Sequence, residues 1–208
     1  MDEKLKILKM VEEKKISAEE AEELLSALST PKKGKRTFTF KFGEKGTIIK
    51  EFNNIKSVDI NIQGCNVELR KGERVRIEYR GSINTNSKNG MLKIVGKWAD
   101  VVLFLPGDID VNIQGRYLNL EGELSANLEM DCKASNIELR ILKPINIKLQ
   151  SKFGNIELSF VTPINQKFII ENKMGNIVNP FSKVEGTGEK SAKIINSFGS
   201  VTLKKEEK

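Results

Sequence analysis

The chain contains no histidine. That one absence removes Ser-His-Asp and Cys-His nucleophile sites, histidine general bases and every zinc site with an imidazole ligand. The two cysteines, Cys65 and Cys132, stand far apart and in no metal-spaced motif. They read as reduced thiols of a cytosolic chain rather than as a disulfide. Carboxylates offer the remaining route to catalysis, because glycoside cleavage needs two of them converging on one sheet face. Glu68, Glu138 and Glu157 recur at one position of a repeat, with Lys148 and Lys152 near Glu157 in sequence. Like charges stacked across strands repel, so these lysines are expected to interleave as surface ion pairs; a groove for a glycan is the alternative. Two further motifs fail on spacing. In Gly186–Ser191, Glu189 interrupts the order that a phosphate-binding loop requires. Asp108, Asp110 and Asn112 imitate the opening of a calcium loop, but Ile113 stands at the obligatory glycine and Asn119 at the closing glutamate. Alternation instead puts all three on one solvated strand face. No catalytic residue, metal or cofactor is expected, and the reading favours a binding or structural protein over an enzyme.

The elements that would carry these residues are strands. Thr37–Phe42 alternates strictly, with three Phe on one face. Asp59-Ile60-Asn61-Ile62-Gln63-Gly64 returns as Asp110-Val111-Asn112-Ile113-Gln114-Gly115, an internal repeat. Cys65–Leu69 matches Ser135–Leu139 and Gly154–Leu158, and Gly175–Ile177 and Gly199–Leu203 continue the series. Anchors at Tyr117, Asn136, Asn155, Asn176 and Ser200 give steps of 19, 19, 21 and 24 residues. The apolar parity flips at each anchor, which requires the chain to turn a corner where Gly or Asn tolerates left-handed angles. Two short strands per repeat, stacked about 4.8 Å apart, predict a β-solenoid of 19–24-residue rungs. Ile137, Leu139, Ile156, Leu158, Val201 and Leu203 should then point inward, and Glu138, Glu157 and Thr202 outward. Ala134, Phe153, Met174 and Phe198 should form an internal ladder, and Cys132, Ser151, Asn172 and Asn196 a second, hydrogen-bonded one. Between residues 70 and 106 the pattern changes to strands at Val75–Tyr79, Met91–Val95 and Val101–Leu105 around a polar loop, Asn84–Gly90, read as antiparallel excursions. The charged end, Lys204–Lys208, is expected to close the far side of the stack.

Residues 1–30 read as a helical hairpin. Leu5, Leu8 and Val11 stripe the first helix, and Ser17 with Glu20 forms a capping box for the second. Leu24, Leu25 and Leu28 stripe that second helix before Thr30-Pro31 stops it. Two such short helices cannot bury their stripes alone, so they self-associate, dock on a partner or dock on their own chain. Glu19, Glu20, Glu22 and Glu23 oppose a DNA-binding role. Residues 31–36 form a basic linker whose Lys32, Lys33, Lys35 and Arg36 could touch an anionic membrane surface, and 37–208 form the β domain. The net charge is +7; the hairpin carries −3 and the remainder +10. That balance reads mainly as a solvated Lys/Glu surface, with weak, salt-sensitive attraction for DNA and no specific nucleic acid.

The run "VRIEYRG … LKIVG … ADVVLFLP … NIQG … SNIELR … FGNIEL … MGNI … FGSVTL" resembles the bacterial "putative adhesin" family of β-strand-repeat proteins. The segment "LKILKMVEEKKISAEEAEELLSAL" is similar to the helical module that precedes this domain in LiaX/YvlB-like cell-envelope stress proteins. The family's Gly-Asp turn is Gly-Asn or Gly-Ser here. The resemblance implies a solenoid and a non-catalytic scaffold or interaction role in the envelope-stress response, and supplies no catalytic residues. The alternatives are a carbohydrate-binding or carbohydrate-cleaving solenoid and a basic nucleic-acid-binding protein. The N-terminus lacks the apolar core of a secretory signal and no apolar run spans a bilayer, so a cytoplasmic chain with peripheral membrane or surface association is expected.

Overall fold

The computed structural model describes Ala21 and residues 46–161, 165–181 and 188–206. The expected hairpin with its leucine stripe, the basic linker and the Thr37–Phe42 strand lie outside these. The chain divides into two units, Met1–Thr39 and Phe40–Lys208, and the second holds every strand below.

Among the described residues, alternating apolar and polar residues produce fourteen strands. They are β1 (Ile48–Phe52), β2 (Ser57–Gln63), β3 (Asn66–Lys71), β4 (Val75–Lys88), β5 (Met91–Leu105), β6 (Asp110–Arg116) and β7 (Leu118–Leu124). Next come β8 (Asn127–Ile141), β9 (Ile147–Phe153), β10 (Ile156–Val161), β11 (Gln166–Met174), β12 (Ile177–Val178), β13 (Lys190–Phe198) and β14 (Val201–Glu206). A mainly β architecture is as expected, and no helix occurs among the described residues of 46–206.

The arrangement of the strands corrects the expected solenoid. Strand β5 pairs in parallel with both β2 and β3, and β8 with both β6 and β7. Because β2 also pairs β6 and β3 also pairs β7, the path β2–β5–β3–β7–β8–β6 returns to β2. The sheet therefore closes into a six-strand parallel barrel. Two strands of 15 residues each make the closure, β5 and β8, by running through the corner where the repeat was expected to break in two. Parity flips identically whether the chain ends a strand at a corner or bends through it, which is why the pattern alone suggested separate rungs.

From β8 two parallel ladders continue, β8–β9–β13–β11 and β8–β10–β14–β12. Their order is a second correction. The last strands, β13 and β14, insert between β9–β10 and β11–β12, so the edge of the ladder is β11–β12 and not the charged C-terminal segment. The 24-residue step from Asn176 to Ser200 was the only departure in spacing large enough to hint at this crossing.

Register differs too. Asp59 lies opposite Asn112, not Asp110, and Asn119, not Tyr117, lies opposite Asn136. Both shifts are of two residues, and a shift of two keeps every side chain on its face. The expected inward set therefore survives: Ile137, Leu139, Ile156, Leu158, Val201 and Leu203 are all buried. Glu138 is exposed, and Glu157 and Thr202 are half-buried. The expected polar loop at Asn84–Gly90 shrinks to a hairpin turn at Asn89 and Gly90, whose φ values of 51° and 76° suit the primed turn that joins twisted antiparallel strands. Strands β4 and β5 pair antiparallel around it, and β1 adds antiparallel to β4.

Candidate functional site

Parallel in-register pairing turns each repeated outward position into a row across the sheet. After the corner, Glu68, Glu121, Glu138 and Glu157 fall on four adjacent strands in one row. Sequence reading found three of them and missed Glu121. Such a row needs cations, and they come from the strand ends. Arg70 Nε lies 2.6 Å from Glu68 Oε1, and Lys204 pairs with Glu157. Arg140 bridges Glu123 at 2.8 Å and Glu206 at 2.6 Å. Lys148 does not serve this row. It sits on β9, before the corner, and its Nζ donates to Glu129 at 2.5 Å. Two of the four row glutamates are thus ion-paired, Glu68 by Arg70 and Glu157 by Lys204, and the expected Lys148 pairs instead with Glu129.

A cluster that the sequence reading passed over lies beside the row. Phe104 on β5 stands between Arg70 of β3 and Arg76 of β4 in cross-strand register. The Arg76 guanidinium lies 3.9 Å from the Phe104 ring centre, and that of Arg70 5.7 Å. Arg76 also lies 2.9 Å from Glu78 Oε1, and Glu78 is 2% exposed. Together Glu68, Arg70, Phe104, Gly122 and Glu123 line a depression of about 370 Å³. The mirrored spacings Glu68-x-Arg70 and Arg76-x-Glu78 were the signal, readable once the two strands are known to flank the same third strand.

At the corner itself the polar side chains bond to one another. Asn66 Nδ2 donates to Asp100, Asn119 Nδ2 to Asn66 and Asn136 Nδ2 to Asn119, at 2.8, 2.9 and 3.4 Å. The series continues through the Asn155 N–H to Asn136 Oδ1 and the Ser200 N–H and Oγ to Asn155 Oδ1. The inward row, Cys132, Ser151, Asn196 and Asn172, behaves differently from the ladder expected. Asn196 and Asn172 donate to the corner carbonyls of Gly154 and Gly199 on the neighbouring strands, at 3.1 and 2.9 Å. Ser151 bonds the Phe153 carbonyl and the Ser135 hydroxyl. Phe153 and Phe198 stack with ring centres 5.2 Å apart, while Met174, on the edge strand, is exposed.

Both cysteines are free and buried. Burial, reinforced by Asp131, pushes the Cys132 thiol up to about 12, and burial raises Cys65 as well. Neither is an activated nucleophile. Asp110 accepts from Asn127 Nδ2 at 2.9 Å, as a strand-face residue does, while Asp108 lies in the turn before β6. Among the described residues no three of Cys, Asp and Glu converge as metal ligands, and none of their helices is long and apolar enough to cross a membrane. The residues expected to self-associate, Leu5, Leu8, Val11, Leu24, Leu25 and Leu28, and the basic Lys32, Lys33, Lys35 and Arg36 lie outside the described residues.

Comparison with known proteins separates the two units. Residues 2–33 match the SHOCT-like domain family. No curated protein matches the sequence. A crystal structure described as a "putative cell adhesion protein" from Clostridium sporogenes superposes with a TM-score of 0.53 at 14% identity, covering 77% of this chain and 99% of that one. That likeness is one of fold. Structures described as "putative adhesin" from Bacteroides fragilis and Parabacteroides merdae cover 77% and 76% of this chain at 10% identity, with TM-scores of 0.31 and 0.29. They cover 98% and 95% of those chains.

Proposed function

We propose that the chain is a non-catalytic interaction protein in which the β unit is a rigid platform and residues 1–30 supply self-association or partner docking. The observation that carries this reading is the in-register glutamate row, ion-paired by Arg70 at Glu68 and by Lys204 at Glu157. A periodic charged face four or more strands wide matches an extended partner better than a small substrate held in a closed cavity. The absence of histidine and the raised thiols agree with it. The cell-adhesion description of the Clostridium sporogenes protein supports a binding role, and the resemblance of the N-terminal segment to envelope-stress modules extends that role to the bacterial cell envelope.

The test is recovery of cross-linked partners from cells with and without an envelope-targeting antibiotic, using the full chain and a chain lacking residues 1–30. The reading expects a partner that the full chain retains, that increases under challenge and that the truncated chain loses. Equal recovery by both chains would overturn the role given to residues 1–30. Turnover of a polysaccharide by the purified protein would overturn the non-catalytic reading.

A further inference from the structure

The last outward residue before each corner forms a second row, on the other side of the corner from the glutamates. Lys97, Gln63 and Arg116 are paired directly across β5, β2 and β6. The row carries on through Lys133, next after the Gly115–Cys132 pair, and through Lys152, Ser197 and Lys173, each between flanking pairs. Five of these seven neighbours are cations and none is an acid. At strand spacing the row runs about 29 Å. On the far side of the corner lie the neutral Asn and Ser side chains of the amide ladder, with one carboxylate, Asp100, held by Asn66.

The corner residues beside this row are not uniform. At Gly154, Gly199 and Gly175 they are glycine, but at two corners the positive φ is taken by large aromatics, Trp98 at 52° and Tyr117 at 56°. A bulky L-residue is strained in this region, and such strain concentrates where a side chain is held for use. Trp98 is 72% exposed and Tyr117 43%. Its ring lies over Gly64, where a Cβ would come within 2.4 Å of it, so the glycine leaves room for the indole of Trp98.

We propose that this corner is a docking ridge for an anionic lipid bilayer, with Trp98 and Tyr117 seated at the headgroup level and Lys97, Arg116, Lys133, Lys152 and Lys173 facing the lipid charge. Tryptophan and tyrosine beside Lys and Arg are the side chains that favour a membrane–water interface. The bare glycine corners beyond Tyr117 let the remaining cations approach a plane. A single-stranded nucleic acid fits the same row less well, because it needs a stacking ring for successive bases along its track, and the corners from Gly154 to Gly175 carry none. This goes beyond the interaction role above and rests on other residues.

Trp98 is the only tryptophan in the chain, so its fluorescence reports the ridge directly. The full chain is mixed with vesicles of phosphatidylglycerol and phosphatidylcholine, with vesicles of phosphatidylcholine alone, and with a single-stranded oligonucleotide. The proposal expects a blue shift, protection from acrylamide and co-sedimentation with the anionic vesicles only. Vesicle affinity should fall about tenfold or more in the Lys97→Glu, Arg116→Glu double variant, since each cation near such a surface contributes substantially. Trp98→Gly should also lose sedimentation while keeping its fold, because glycine suits the positive φ; a circular-dichroism melt checks this. Replacing Lys32, Lys33, Lys35 and Arg36 with Gln should leave binding in place. No blue shift with anionic vesicles, binding that survives both ridge variants, or an oligonucleotide that displaces the vesicles would each overturn the proposal.

Discussion

The barrel end and the ladder end of the β unit turn the same corner with different chemistry. From β2 to β8 every strand has at least two paired neighbours, and three corners there use φ values of 52° to 64°, at Trp98, Tyr117 and Gly64. That region is strained but open to an L-residue. In the ladder the corners use 119° to 133°, at Gly154, Gly199 and Gly175, where essentially only glycine goes. A Cβ there would come within 1.8 Å of the Ser135 carbonyl oxygen at Gly154 and 1.7 Å of the Gly199 carbonyl oxygen at Gly175. Close stacking of the ladder excludes side chains from its corners, and the looser barrel corners can carry them. Among the described residues the exposed aromatics are therefore confined to the barrel end, and the ladder ends in an edge where Ile169, Met174, Ile177 and Val178 are exposed.

The largest effect should come from the core of the ladder. Phe160 is fully buried and meets the rings of Phe168 and Phe181 edge-on, with centres 5.1 and 5.4 Å away. Phe160→Ala should cost about 3–5 kcal/mol in urea melts, and a loss under about 1 kcal/mol would mean that the ladder is not packed on this cluster. The corners come next. Gly154→Ala should cost about 3 kcal/mol from forbidden φ plus backbone collision. Gly64→Ala should cost only about 1 kcal/mol, because the atoms in its way belong to the exposed Trp98 ring, which can swing aside. Equal costs at the two corners would erase the contrast between the ends.

An effect absent at neutral pH belongs to the strand that joins the ends. The Cys132 thiol, on the strand that joins them, is held at about 12 against an ordinary 9.0, chiefly by burial. The unfolded chain then ionises first, so stability is unaffected below pH 9 and falls as pH rises above it, by up to about 1.4 kcal/mol per unit. Cys132→Ala should flatten that alkaline decline, measured as melting temperature against pH; an unchanged slope would place its cause elsewhere. The smallest effect belongs to the edge: Val178→Thr, half-exposed on β12, should shift stability by no more than about 0.5 kcal/mol, and a larger loss would mean that the edge is covered.

Some of this was legible in the residues. The parity flip at Asn136 and Asn155 located the corners, and it placed Ile156, Leu158 and Glu138 on the right faces even where register was off by two. Glu68, Glu138 and Glu157 announced the acidic row. Barrel closure was not legible, since nothing in Met91–Leu105 tells a strand that bends through Trp98 from two strands that meet there. Strand order was not legible either, because β11 and β13 alternate alike and either could lie beside β9. The basic row was within reach: Ala134, Phe153, Met174 and Phe198 were aligned as an inward ladder, and the residue preceding each reads Lys133, Lys152, Lys173 and Ser197. It gains meaning only when Arg116 and Lys97 join it through the observed pairing.

The insertion of β13–β14 into the ladder is the feature on which the edge, the glycine corners and the continuity of the basic row all depend. Paired cysteines test it directly. Glu157 is opposite Thr202, and Thr202 is opposite Val178, so Glu157 and Val178 are two strands apart, beyond the reach of a disulfide. In oxidised protein, Glu157→Cys with Thr202→Cys should give a cross-linked peptide pair by mass spectrometry, and Glu157→Cys with Val178→Cys should not. A cross-link in the second pair and none in the first would place the strands in chain order and contradict the account.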